Sequence, residues 1–235
     1  MIVLGLDVET TGLSPEKDDI IEIGAVLWDT RRGVPLVIEN FGVKTDKVIA
    51  PVITNLTGIT QQDNDTYHQL DEEIAVTLEF LIDQADYLVA HNHQFDKKFL
   101  TAWIKKQGSL YNSNMFDSKP WIDTQHDLPP EAYGKSKSLT YLAADNGFVN
   151  PFAHRAVFDV LTMLTVLQKH IHNVDLAKER VYLEAVVTRA EKDKAKKEGF
   201  RWNPDRKVWW KIDVKKKQYS YDFKVIEKPV GEVIV

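Results

Sequence analysis

The run Ile2-Val-Leu-Gly-Leu6 is apolar at every position except a single glycine and ends in Asp7-Val8-Glu9, a junction that limits what the chain can become. Apolar residues on both faces describe a strand covered on both sides, hence a central strand of a sheet. Side chains alternate along a strand, so Asp7 and Glu9 share one face. Two carboxylates there repel. At a solvated strand end such a pair needs no special account, but beside a buried strand it needs a cation or a proton. A metal is the simpler answer. The sequence has no cysteine. Donors are therefore carboxylate, histidine or water, a set that favours magnesium or manganese.

Three strands open the chain: Ile2 to Val8, Ile20 to Trp28 and Val34 to Val43. Thr11-Gly12-Leu13-Ser14-Pro15 and Arg31-Arg32-Gly33 separate them. These short connections predict antiparallel neighbours. Ile74, Leu78 and Leu81 recur at helical spacing and predict a helix from Leu70 to Gln84. Tyr87 to Ala90 reads as a short strand, followed by an amphipathic helix that carries Phe95, Phe99, Leu100 and Trp103 and ends near Gly108. The rest of the body reads as mostly helical, with Ser138 to Asn146 closed by Gly147 and a long helix from Arg155 to His170. This order predicts an α/β fold in which helices flank a mixed sheet.

Asp96 falls in the first turn of its helix, where the helix dipole tolerates a negative charge without any further role. Asp159 lies inside the last long helix and shares a face with Ala156. Small Ala156 lets that helix approach the sheet and carries Asp159 toward Asp7; alone, Asp159 would equally suit a solvated face. His154 stands five residues before Asp159, at the helix start, where a loop can swing it.

In order, these fragments are Asp7-Val-Glu9-Thr-Thr-Gly12, His91-Asn92-His-Gln-Phe95-Asp96 and His154-Arg-Ala156-Val-Phe-Asp159. Together they resemble the DnaQ-like exonuclease superfamily, in its subgroup with four acids and a histidine. Leu56-Thr-Gly-Ile59, Ile122-Asp-Thr124 and Ser138-Leu-Thr-Tyr-Leu142 look like connectors of the same family, and the likeness covers residues 1–172. The resemblance implies a ribonuclease-H-like fold, an exonuclease domain at residues 1–174, and release of nucleoside monophosphates from a 3′ end. It implies two divalent ions, Mg2+ or Mn2+, held by Asp7, Glu9, Asp96 and Asp159. Asp7 would bridge them, Glu9 and Asp159 would complete the nucleophile side, Asp96 would act largely through water, and His154 would be the general base. An imidazole suits that task because its reference pKa of ~6.5 leaves a neutral base near pH 7.

The expected substrate is single-stranded DNA or a frayed 3′ end. RNA is the alternative, because the same five residues serve either sugar; a non-catalytic nucleic-acid-binding or polymerase-tethering protein is the alternative of another class. A terminal nucleotide has to be held without reading its base. Thr10, Thr11 and Leu13 follow the acid pair in a tight turn and offer amides, a hydroxyl and an apolar wedge. Phe95 is a candidate for stacking on a base, or the start of an apolar core stripe. Asn92 either contacts the substrate backbone or caps its helix.

Net charge is −5, unevenly spread: residues 1–177 carry 14 Lys+Arg against 25 Asp+Glu, and residues 178–235 carry 16 against 10. An acidic body with a basic tail suggests that catalysis and strand capture are divided. The tail reads as a small β-α-β-β module. It has strands at Val181 to Thr188 and Phe223 to Ile226, a charged helix at Ala190 to Glu198, and a hairpin from Trp202 to Ile212. Lys197, Arg201, Trp202, Arg206, Lys207, Trp209 and Trp210 interleave aromatic and basic side chains, as a single-strand-binding surface does. Adjacent Trp209 and Trp210 must point to opposite faces, so one face is expected to be core and the other contact. The module looks like a small unit appended to phage and bacterial DNA-handling proteins. Gln218-Tyr-Ser-Tyr-Asp-Phe223 weakly resembles a clamp-binding peptide and better suits an ordinary strand. A polymerase or other replication protein enters as a candidate partner, and the oligomeric state is open. With no signal peptide and no run of about 20 apolar residues, no membrane span is expected and the expected setting is cytoplasmic.

Overall fold

In a computed structural model of the protein, the apolar opening run forms β1 (Ile2–Thr10), the middle strand of a five-stranded sheet. Described residues are 1–67, 71–107, 114–174, 176, 180–204, 206–214 and 219–229. β2 (Ile20–Asp29) and β3 (Val34–Gly42) follow as antiparallel neighbours, which places Asp7 opposite Gly24 and Glu9 opposite Glu22. Two short helices come next, α1 (Pro51–Thr57) and α2 (Gln61–Thr66), in a stretch where the sequence marks only the connector-like Leu56-Thr-Gly-Ile59. At seven and six residues they are too short for hydrophobic periodicity to reveal. Their boundaries are nonetheless written locally. Pro51 opens α1, Gly58 at φ 76° closes it, and Thr60 with Asp63 forms a capping box on α2.

The next elements are α3 (Asp71–Gln84), β4 (Tyr87–Ala90) and α4 (His93–Lys106). The expected helix limits at Leu70 and Gly108 lie outside the described residues. β5 (Trp121–Asp123) is a strand that sequence periodicity did not reveal, being three residues long; it runs parallel to β4, as β4 does to β1. α5 (Leu139–Asp145) and α6 (Ala156–His170) complete this part, with Gly147 at φ 91° just beyond α5.

β1 separates two cores. Leu4, Leu6 and Val8 pack with Ile74, Leu78, Phe99, Leu100 and Trp103 from α3 and α4. Val3 faces the other way, with Val160, Met163, Leu164 and Leu167 of α6. Asp7 and Glu9 share the α6 side by alternation. The approach of α6 is set by small residues on both partners. A Cβ on Gly24 would stand 2.5 Å from the Ala156 carbonyl carbon and the Val157 nitrogen, so no side chain fits there. Ala156 is legible from the helix spacing; the glycine across from it is not.

Met1–Val174 and Asp175–Val235 form two compact units. The second holds β6 (Arg180–Val186), α7 (Lys192–Lys197), β7 (Arg201–Asn203), β8 (Val208–Val214) and β9 (Lys224–Pro229), in antiparallel order β7-β8-β6-β9. The β-α-β-β reading thus extends to a sheet of four strands. Its core gathers Val181, Leu183, Ala195 and Phe200, with Trp209 packed against them. Trp210 takes the opposite face and stacks on Tyr182, ring centroids 5.4 Å apart. Among the described residues, no helix is long and apolar enough to cross a membrane.

Candidate active site

β1 outruns β4: their pairing stops at Gly5 and Val89, and the Val8 N–H beyond it donates instead to Asp96 Oδ1 at 3.2 Å. That bond ties the first turn of α4 to the acid-bearing end of β1. Asp96 is 2% exposed. From the other side α6 delivers Asp159, whose carboxylate accepts the His154 N–H at 3.0 Å and the Asn150 side chain at 2.7 Å. His154 lies two residues ahead of α6 in the left-handed region, φ 65°, with an exposed side chain. Ligand atoms of Glu9, His154 and Asp159 all fall within 4.8 Å of one another. Five residues separated by up to 152 positions in sequence therefore meet at one end of β1.

The electrostatics show what this assembly needs. Burial pushes the Asp7 carboxyl well above the usual carboxylate range, and the charges of Asp96, Glu9, Asp159 and Glu22 push it further. Burial, then Asp159 and Glu22, raises Glu9 to about 8 against some relief from Arg155. Burial likewise raises Asp96 and Asp159, opposed by their hydrogen bonds from Val8 and His154. Four mutually destabilised carboxylates fit divalent cations as ligands, because a cation removes both the repulsion and the desolvation penalty.

Two further residues hold the site: Glu22, which no motif marks, and Asp123, which the sequence marks only within the connector-like Ile122-Asp-Thr124. Glu22 is 1% exposed, accepts the Ala156 N–H at 2.8 Å and pairs with Arg155 at 2.7 Å. It anchors the first turn of α6, three residues from Asp159. A lone acid inside Ile20-Ile-Glu-Ile was the available signal. Asp123, at the end of β5, accepts the Asn92 and Gln125 N–H groups at 3.0 and 2.9 Å and the Nδ1 groups of His93 and His126 at 3.1 and 3.0 Å. Burial would raise this carboxyl, yet the bonds from His126 and His93 hold it well below the ordinary range. It fixes the turn into α4 and so the height of Asp96.

The expected substrate contacts are placed unevenly. Leu13 is 86% exposed, as a wedge requires. The Thr10 hydroxyl donates to the Gly12 carbonyl and the Thr11 hydroxyl accepts the Asp19 N–H, so both serve the turn itself. Asn92, at φ 70°, makes no side-chain cap and lines a cavity of about 300 Å³ with Asp7, Asp159, His154 and Ser138. Phe95 packs on Phe99 at 4.8 Å, at the margin of the core. A larger cavity, about 450 Å³, lies elsewhere, beside Asp19 and Trp103. Two of its lysines, Lys47 and Lys106, are paired with Asp19.

In the second unit Lys197, Trp202 and Lys207 are exposed. Trp209 belongs to the core, and Trp202 opposite it keeps 49% of its surface, rings 5.7 Å apart. Arg206 is committed to the module: it pairs with Glu184 at 2.6 Å and stands over the Tyr182 ring. The Arg201 side chain and Gln218 lie outside the described residues. The expected strand over residues 218–223 is not formed among its described members. Tyr219, Tyr221 and Phe223 precede β9, stack on one another at 5.9 and 5.3 Å, and pack against the module core.

The model of a family described as exonuclease matches residues 4–167, and that of a domain family of unknown function matches residues 181–226. Over 155 residues the chain is 36% identical to the PolC-type DNA polymerase III of Thermotoga maritima, covering 66% of this chain and 10% of that one. Over 172 residues it is 39% identical to the 3′-5′ exonuclease DinG of Bacillus subtilis, covering 70% and 17%. The chain thus corresponds to a small part of these relatives. The nuclease domain of 3′hExo, a DEDDh family member bound to rAMP, shares the fold at a TM-score of 0.60 and 18% identity, covering 73% of this chain and 92% of that one.

The chain belongs to the exonuclease family, and its ribonuclease-H-like unit is that of a hydrolytic nuclease. More narrowly, this unit is a DnaQ-like 3′→5′ exonuclease segment.

Proposed function

We propose that this chain releases nucleoside monophosphates from the 3′ ends of DNA, single-stranded or frayed, with divalent metal ions at Asp7, Glu9, Asp96 and Asp159. The observation that carries this reading is the convergence of Glu9, His154 and Asp159 within 4.8 Å beside Asp7, a carboxyl raised by its burial and by the acids around it. A magnesium or manganese ion held by these carboxylates would supply positive charge to a phosphodiester and would acidify a water for attack. The chain does the rest. Asp159 positions His154 through its backbone N–H, leaving the imidazole at the cavity mouth to take the proton from that water. Leu13 offers an exposed apolar contact to the terminal base. Asn92 faces the cavity where the strand's phosphate would pass. DNA is favoured over RNA by the polymerase among the relatives.

The deciding experiment presents 5′-labelled single-stranded DNA, duplex DNA and RNA with magnesium or manganese, beside Asp159→Ala. Laddering from the 3′ end of DNA, absent in the variant, is the expected result. Laddering of RNA alone would transfer the reading to RNA, and activity that survives Asp159→Ala would remove the proposed centre.

The same proposal gives residues 178–235 the capture of the strand, through Lys197, Lys207 and half-exposed Trp202. Stacking on tryptophan contributes ~1–3 kcal/mol per base, and each phosphate neutralised adds salt-dependent affinity. Deleting this module is expected to weaken binding of a long single strand about tenfold or more, with cleavage of a dinucleotide changed far less. Unchanged affinity in a low-salt binding titration would rule it out.

A further inference from the structure

Phe152 and Phe158 are exposed aromatic residues that adjoin, in the chain, residues lining the candidate site. Phe152 precedes Ala153 and His154, and Phe158 precedes Asp159; those three neighbours line the cavity of about 300 Å³ that also contains Asp7. The two rings touch, centroids 4.7 Å apart and planes at 46°, yet keep 54% and 37% of their surface exposed. Val149, three residues before Phe152, is 75% exposed.

The loop that carries Phe152 is held by other bonds. Asn150 Nδ2 donates to Asp159 Oδ1 at 2.7 Å, the Phe152 N–H donates to Asn150 Oδ1 at 2.9 Å, and the His154 N–H donates to Asp159 Oδ2 at 3.0 Å. These bonds hold the loop without the Phe152 ring, and Phe158 is carried by α6 rather than by the loop.

Charge narrows the choice of what covers them. Residues 1–177 carry 25 acidic against 14 basic side chains, and four of the acids gather at this site. Ionic attraction to this unit cannot by itself hold a polyanionic strand here. Contacts near the reacting end have to be uncharged and indifferent to sequence, and base stacking on an aromatic ring is both. A polymer whose last nucleotide occupies the cavity has its next bases at the cavity rim by covalent continuity.

We propose that Phe152 and Phe158 form a stacking surface for unpaired bases just upstream of the bond being cut, so that the site takes single strands in preference to duplex. This rests on the exonuclease reading above. A paired base is already stacked on its neighbours and presents no open face to these rings.

The test compares the full chain with Phe152→Ala and Phe152→Trp, loaded with manganese, on two substrates. One is the p-nitrophenyl ester of thymidine 5′-monophosphate, which has no upstream base, and the other is a single strand of about ten nucleotides. Phe152→Ala is expected to raise KM for the strand about tenfold relative to KM for the ester, and Phe152→Trp is expected to restore it. Equal loss of kcat on both substrates would overturn the proposal, because the ring would then be holding the His154 loop. An unchanged KM for the strand would overturn it too. A wild-type chain that hydrolyses neither substrate fails the exonuclease reading itself, and this inference goes with it.

Discussion

Asp7→Asn and His154→Ala are both expected to lower 3′-end cleavage steeply, but only the first is expected to lose metal binding. Asp7 lies within electrostatic reach of Asp96, Glu9, Asp159 and Glu22, so its charge is the one shared by every part of the cluster. Charge stabilisation by bound metal is worth several kcal/mol in reactions of this kind, hence a loss on the order of a thousandfold. His154 is exposed, outside α6, and anchored by its backbone rather than its ring. Its removal leaves four carboxylates in place and takes away a proton acceptor, which costs roughly 10²–10⁴ in turnover. Manganese titration calorimetry on both variants, beside a cleavage assay, separates the two effects. Parallel loss of binding and turnover in His154→Ala would make the imidazole a ligand, a role its closeness to Glu9 and Asp159 permits.

Part of this centre was legible in the chain because it depends on local order. A strand apolar on both faces and ending in two acids has few homes other than the middle of a sheet, and β1 is there. Ala156 three residues before Asp159 gave the close approach of α6, since that spacing is fixed by the helix. What was not legible depends on register. Gly24 matters only because it falls opposite Asp7, and Glu22 only because it falls opposite Glu9 and beneath Arg155. Neither relation exists until β1 and β2 are paired. Asp123 is similar: Asn92 from the turn after β4, His93 from α4, and Gln125 and His126 from the loop after β5 converge on it, and no spacing announces that. The hydroxyls of Thr10 and Thr11 bond within their own turn, because a short polar side chain in a tight turn finds the nearest backbone group first.

In the second unit the same distinction holds. Strand alternation alone separated Trp209 from Trp210, and the sheet keeps them on opposite faces. The fate of Arg206 needed β6, because Glu184 and Tyr182 are both on that strand. A basic residue in a sequence advertises a phosphate contact until an acid is found beside it.

Without divalent metal, the protein is expected to lose stability as pH rises from about 5 to 8, and metal is expected to restore more of it at the upper end. Asp7, Glu9, Asp96 and Asp159 are all raised in the folded state, chiefly by burial. A raised folded-state value means the folded protein holds these protons more tightly than the unfolded chain. Stability from that source is complete below the unfolded carboxyl range near ~4 and falls as pH climbs through the folded values. For Glu9 that decline runs from the ordinary 4.5 to about 8. Allowing for relaxation and coupling within the cluster, the loss between pH 5 and 8 should be about 2–4 kcal/mol, or ~5–10 °C in Tm. Manganese competes with protons for the same oxygens, so its stabilising increment grows as the protons leave. Thermal unfolding in EDTA and in manganese at both pH values reads this directly, with Asp7→Asn as the variant that flattens the EDTA slope. A Tm in EDTA that holds or rises toward pH 8, or a manganese increment equal at the two pH values, would show that the acid cluster is relieved by something other than a bound cation.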